Sequence, residues 1–381
     1  MKKKYIILSI IILVLLITFV TSFNYFKTSN NYVEDSVNNQ TKITKGISMN
    51  LEQTVGAGDY KQVTQSSWPT EGYKFNAELS KCENGGEISW DDTKKAVIVS
   101  GNLSDKCYVY FDIYQLTLAE YIKSQYTGTQ GDNALYYHNS TLTNGAGDNS
   151  YRYAGASDSV NNYICLGSDA TTCPDANLFR IIGVFGNQTK VIRAKSVGDQ
   201  QWHTSADNTW SSSSLNAYLN GTYLTSLGTI AEKIATTTWK VGGCSWSNIK
   251  TSVPKIVYKN EVGSSASTTT VDKKIGLMYI SDYYYSASPS AWTLVGYNKS
   301  DATKDYSAAK TINWLYLGSK EWTISRVSDE TFSAFIVDGS GHVFSYNVNF
   351  SDFAVRPSFN LDSTVTYVSG DGTKSNPIRI N

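Results

Sequence analysis

Histidine, methionine and proline are scarce in this chain, at three, three and six residues of 381. His138, His203 and His342 stand singly, and the five cysteines show no Cys-x2-4-Cys spacing, so neither a zinc cluster nor a Cys-x-x-Cys redox pair is signalled. The nucleophile elbow G-x-S-x-G, the metalloprotease helix H-E-x-x-H, the P-loop and G-x-G-x-x-G are all missing. Nor is there an excess of positive charge, with 33 basic and 33 acidic residues, and setting aside Lys2, Lys3 and Lys4 leaves 30 against 33. A balanced to slightly acidic surface excludes nucleic acid as the partner, because phosphates require a basic footprint. These absences leave no catalytic residue, no metal ligand and no cofactor to name.

What is abundant is aromatic: 27 tyrosines and nine tryptophans, with only 17% charged residues. That composition favours strands over helical bundles. The first residues, MKKKYIILSIIILVLLITFVTSFNYF, set three lysines before an apolar run. From Tyr5 to Phe26 it would span about 33 Å as a helix, enough to cross a bilayer with the lysines inside. The expectation is a single-pass anchor over residues 1–26 with the bulk extracellular; the rival is a cleaved secretory signal, with Val20 and Ser22 as the small residues before the cut. A polar, Asn-rich stalk is expected over 27–46, a small antiparallel β-sandwich over 47–114, and an α+β domain over 115–381. Thr117 and Glu120 frame a capping box for a helix in LTLAEYIKSQY, and residues 126–162 read as a long loop. LFRIIGVF, TKVIRAKSV, KKIGLMYISDYYY, EWTISRV and FSAFIVDGSGHVFSYNV read as strands, with a helical region behind a serine cap after residue 210.

Thiols outside the membrane close into disulfides. Cys82 and Cys107 flank the strands of the small module, and Cys165 and Cys173 flank a short polar loop, so these are the expected pairs, with Cys244 left free. Loop-closure entropy assigns about 3.5 kcal/mol to the first bridge and about 2.6 kcal/mol to the second.

The segments GYKFNAELSKCENGGEISWD, NSYRYAGASDSVNNYICLGS, CPDANLFRIIGVF, KIGLMYISDYYYS and VRPSFNLDSTVTYVSGDGTKSNPIRI resemble uncharacterised, membrane-anchored surface proteins of low-GC Gram-positive bacteria, over about residues 70 to 381. More distantly, WLYLGSKEWTIS, FSAFIVDGSGHV and AVRPSFNL are similar to the C-type-lectin fold in its formylglycine-generating-enzyme-like branch. The resemblance implies a C-type-lectin-like α+β domain with Arg356 and Pro357 before a closing strand. The late cysteine pair of that enzyme branch and the Glu-Pro-Asn, Gln-Pro-Asp and Trp-Asn-Asp motifs of calcium-dependent sugar binders are absent here, so no activity comes with the fold.

Arg356 is therefore expected to be structural, and Trp314 and Trp322 to belong to the core. Glu321 and Asp338 are weighed as a glycosidase-like carboxylate pair against ordinary surface solvation, which is preferred, and Asp338 and Asp371 as calcium loops against Gly/Asp turns, also preferred. For ligand contact the expectation falls on YYYSASPSAW: strand alternation would turn Tyr284 outward, and a Ser/Pro loop would expose Trp292. The function expected is an extracellular, surface-displayed binding or adhesion module for an unidentified glycan or protein. The alternatives are a structural envelope component and an extracellular glycan or peptidoglycan hydrolase.

Overall fold

The computed structural model describes residues 46–381 apart from 65–66, 70–71 and 102–104. The expected anchor and nearly all of the expected stalk lie outside these residues. No helix among the described residues is long and apolar enough to cross a membrane. The chain divides into two compact units, Met1–Gln115 and Leu116–Asn381, and is mixed α+β with strands predominating.

In the first unit, strands Tyr60–Val63, Ile47–Glu52, Cys107–Ile113 and Tyr73–Cys82 lie side by side in that order. An all-antiparallel module was expected, but Ile47–Glu52 runs parallel to Cys107–Ile113, because the intervening strands carry the chain back to its starting end before it enters the centre of the sheet. A separate hairpin, Glu87–Asp91 with Ala96–Ser100, places Trp90 on Phe111 and Phe75 at 5.7 and 6.4 Å. Among the described residues, the buried centre of this unit is Met49, Leu51, Val109 and Phe111. So small a core draws much of its stability from the Cys82–Cys107 disulfide, whose cysteines face each other in register across two strands. Replacing both with alanine should lower the stability of this unit by about 3 kcal/mol while leaving the melt of the larger unit in place. Differential scanning calorimetry resolves the two transitions, and an unshifted first transition would defeat the expectation.

The second unit is built on an antiparallel sheet in the order Ile275–Gly276, Ser358–Leu361, Gln188–Arg193, Leu178–Phe185, Tyr151–Tyr153, Leu135–Tyr137. Tyr163–Cys165 pairs with the start of Leu178–Phe185. Gly183 sits at a register shift where a Cβ would lie 2.2 Å from the Tyr151 carbonyl oxygen, so no other residue allows the two strands to approach. Residues 126–162 are thus not one loop: they contain two of the sheet's strands, tied between turns such as the one in which Asn139 accepts from the amides of Thr141 and Leu142.

The helix Leu118–Ser124 starts at the expected capping box, Thr117 with Glu120, and buries Leu118 and Ile122. Ser213 caps a helical stretch that passes through a π turn at Leu219–Tyr223. The widened turn lets the Asn220 amide accept from the Ile275 N–H and donate to the Ile275 carbonyl, as a backbone strand would. A second, three-stranded antiparallel sheet is formed by Glu321–Arg326, Ser333–Val337 and Val343–Asn347, with Asp338 and Gly339 in the last hairpin.

KKIGLMYISDYYY departs furthest from its reading as a strand. Lys273 closes the strand Thr270–Lys273 and Ile275–Gly276 is extended, but Ile280–Tyr285 is a helix, started by the Asp282 carboxylate accepting from the Tyr279 N–H. The β-propensity of consecutive tyrosines is overridden because every face of this short helix is packed.

Candidate functional site

The helical geometry removes the expected ligand contacts. Tyr283, Tyr284 and Tyr285 are all buried, and the Tyr284 ring stacks on Tyr306 at 4.3 Å. Trp292 is also buried: its indole N–H donates to the Ala287 carbonyl at 2.9 Å, and its ring lies against His138, Tyr285 and Tyr136 at 5.1 to 5.5 Å. Neither Tyr284 nor Trp292 faces solvent, so the site is not there.

Both expected disulfides are present, Cys82–Cys107 and Cys165–Cys173, and Cys244 is free and buried. Burial pushes the Cys244 thiol well above its usual range, which makes it a poor nucleophile. Cys82, Asp105 and Cys107 are the one group among the described residues close enough to share a metal, and there the two sulfurs are bonded to each other.

Arg356 is buried and forks onto Glu321, its Nε and Nη2 donating to the two carboxylate oxygens at 2.7 Å each. Nη2 also donates to the Leu315 carbonyl at 2.6 Å. Glu321 was expected at the surface; it is buried because Arg356 neutralises it, and it is therefore not one of a pair of solvent-facing acids. Trp314 and Trp322 are buried, and their indoles donate to the carbonyls of Tyr153 and Gln200. Asp338 and Asp371 accept backbone N–H groups within their own turns, from Ser340 and His342 and from Thr373 respectively.

An accessible aromatic surface lies elsewhere, on the last strand of the three-stranded sheet. Val343–Asn347 is an edge strand, and alternation puts Phe344 and Tyr346 on one face in line with His342. Both rings are half-buried rather than sealed. Phe344 contacts Tyr297 and Trp246 at 5.1 and 5.0 Å, Tyr297 meets the edge of His342 at 5.2 Å, and Tyr346 contacts Phe350 and Phe353 at 5.5 and 5.0 Å. Phe350 is 45% exposed, and the exposed Lys320 ammonium sits 4.7 Å from the Tyr346 centroid. The result is a continuous stripe from Trp246 to Phe350, with a cation at one end.

The polar atoms of the stripe are also available. The indole N–H of Trp246 and the hydroxyls of Tyr297 and Tyr346 have no hydrogen-bond partner among the described residues, yet none is sealed from water. At the other end His342 lies between two carboxylates, Nε2 3.1 Å from Asp305 and Nδ1 3.4 Å from Asp338. Neutral imidazole has one N–H and can donate to only one of them at a time. Such an arrangement offers flat apolar faces, several uncommitted donors and one partly exposed carboxylate. The signal in the sequence was the alternation HVFSYNVNF, with aromatics at every second position of a strand that lacks an outer neighbour.

A family model described as a domain of unknown function (DUF6273) matches residues 186–363, a span that includes the whole stripe and the Arg356–Glu321 pair. No curated protein and no solved structure matches the chain.

Proposed function

We propose that this protein is a surface-displayed binding module whose ligand is a polysaccharide held on the stripe from Trp246 to Phe350. The observation that carries this reading is a row of half-exposed rings whose N–H and O–H tips are uncommitted. Such rings offer stacking faces for the C–H side of a sugar and donors for its hydroxyls, which a purely apolar protein-docking patch does not need. Export through the apolar N-terminus, tethering there, and the two disulfides support an extracellular setting. A C-type-lectin-like arrangement of the larger unit belongs to the same proposal. It is supported by the way the beginning of that unit pairs with its end, Leu118 N–H donating to the Val365 carbonyl and Tyr367 N–H to that of Leu116.

Retention of the protein on immobilised bacterial-wall and mucin-type glycans tests the reading. Tyr297→Ala and Tyr346→Ala should each weaken retention by about 5- to 100-fold with the thermal melt little changed, since an interface aromatic commonly contributes about 1–3 kcal/mol. Tyr346→Trp should keep most of it. Retention by both alanine variants equal to that of the unchanged protein would remove the stripe from consideration.

A further inference from the structure

Five ionisable side chains from separate parts of the larger unit lie near one another, four of them buried and the fifth, Asp148, partly exposed. Lys190, in the strand Gln188–Arg193, has its ammonium nitrogen 2.5 Å from Asp282 Oδ2, with side-chain exposures of 6% and 3%. The rings of Tyr279, Trp239 and Phe185 enclose that nitrogen at 4.5, 5.3 and 5.9 Å. Arg152 is paired with Asp148 at 2.6 Å. The fifth group is Glu261, the last residue of the helix Pro254–Glu261 and itself buried. Its two oxygens accept the N–H groups of Ile280 and Ser281 at 2.9 Å each, while Asp282 Oδ2 accepts that of Tyr279 at 2.8 Å. Three successive amides at one helix start thus hold two carboxyl groups side by side, with Lys190 against one of them.

Two cations face three carboxyl groups, and Glu261 forms no ion pair among the described residues. A surplus negative charge at a buried site is costly, so burial raises the Glu261 carboxyl above the usual range and favours its protonated form. Its Oε1 also accepts from the Ser325 hydroxyl in a short contact. Burial also lowers the Lys190 ammonium below its ordinary value, toward the free amine. A desolvated amine, a carboxyl carbon one bond beyond the oxygen it touches, and a neutral acid alongside are the components of amide synthesis.

We propose that Lys190 and Asp282 join in an intramolecular isopeptide bond, with Glu261 as the general acid and base. Proton transfer from Lys190 to the Asp282 carboxylate leaves an amine and a carboxylic acid. The amine lone pair attacks Asp282 Cγ, a C–N bond forms, and the carbonyl π pair moves onto oxygen, where the Tyr279 N–H and the Glu261 proton receive it. Glu261 gives its proton to the departing hydroxyl, which leaves as water, and takes one from the new C–N nitrogen, so that it ends protonated as it began. Ammonium plus carboxylate becomes amide plus water, with no oxidant or other reactant. Burial favours the product because a neutral amide replaces two charges that the site cannot hydrate. The bond links the central sheet to a helix start 92 residues further along the chain.

Peptide mapping of the purified, reduced and alkylated protein tests the proposal. After trypsin, residues 181–193, uncleaved at Lys190, should appear joined to residues 275–299 at the summed mass less one water. Asp282→Asn should give a linked species of the same mass, now by loss of ammonia, and Lys190→Met should give none. Glu261→Gln should accumulate the linked peptide at least about 100-fold more slowly, as expected for loss of a general acid-base. Free peptides ending at Lys190, recovered in full from the unaltered protein, would show that the pair is only ionic and overturn the proposal. This holds whether or not any variant folds. Unchanged linkage in Glu261→Gln would remove Glu261 from its role.

Discussion

Arg356→Ala should cost the larger unit about 3–5 kcal/mol, a large part of the stability of an ordinary domain. The size follows from what remains rather than from what is removed. Glu321 is 1% exposed, and both its oxygens are bonded to the guanidinium; without Arg356 its carboxylate is buried with no counter-charge. The Leu315 carbonyl loses its donor as well. Arg356→Lys should recover only part of the loss, since a point ammonium cannot serve two carboxylate oxygens and a carbonyl in the same fork. Pairing Arg356→Met with Glu321→Leu should recover most of it, because an apolar pair of similar volume needs no charge compensation. Urea unfolding followed by tryptophan fluorescence gives each value. A midpoint for Arg356→Ala equal to that of the unchanged protein would mean that Glu321 finds another partner or water, and the account of this pair would be wrong.

The second large effect is expected where the sequence pointed to a ligand. Tyr284→Ala together with Trp292→Ala should leave the larger unit without a cooperative melt. Each removes a fully buried ring, at about 3–5 kcal/mol apiece. The two sit in different apolar clusters, Tyr284 in the main core and Trp292 with Tyr285 and Ala154, so the costs should nearly add. Tyr284→Phe should behave in the opposite way. The Tyr284 hydroxyl is buried without a hydrogen-bond partner, so its removal should be neutral or slightly stabilising. Calorimetry separates these outcomes: a double variant melting cooperatively within a few degrees of the unchanged protein would return both side chains to the surface.

The features legible in the sequence are those set by neighbours along the chain. The Thr117–Glu120 cap lies within four residues; the paired strands Leu178–Phe185 and Gln188–Arg193 announce themselves by apolar runs about a two-residue turn; each disulfide joins cysteines that bracket one local stretch. The pairing of Arg356 with Glu321 was not readable, because nothing local marks Glu321 as buried. Ile280–Tyr285 was misread because alternation and helical periodicity cannot be told apart in a run that is apolar on every side. The aromatic stripe draws Trp246 and Tyr297 from loops and helices remote from Val343–Asn347, and the Lys190, Asp282 and Glu261 cluster comes from three separate elements. No window of sequence contains either constellation.

The strand Ser358–Leu361 pairs with Gln188–Arg193 on one side and Ile275–Gly276 on the other. It comes 167 residues after Val191, whose carbonyl accepts from the Ser358 hydroxyl, and Arg356 and Pro357 immediately precede it. Contacts of this separation form late, since a long loop must close before they return any free energy. During synthesis the central sheet therefore lacks an inner member until Ser358–Leu361 has emerged, and a chain stopped before Ser358 has no local substitute for it. The larger unit should consequently acquire protease resistance in a single step once Ser358–Leu361 is available, not progressively as the chain lengthens.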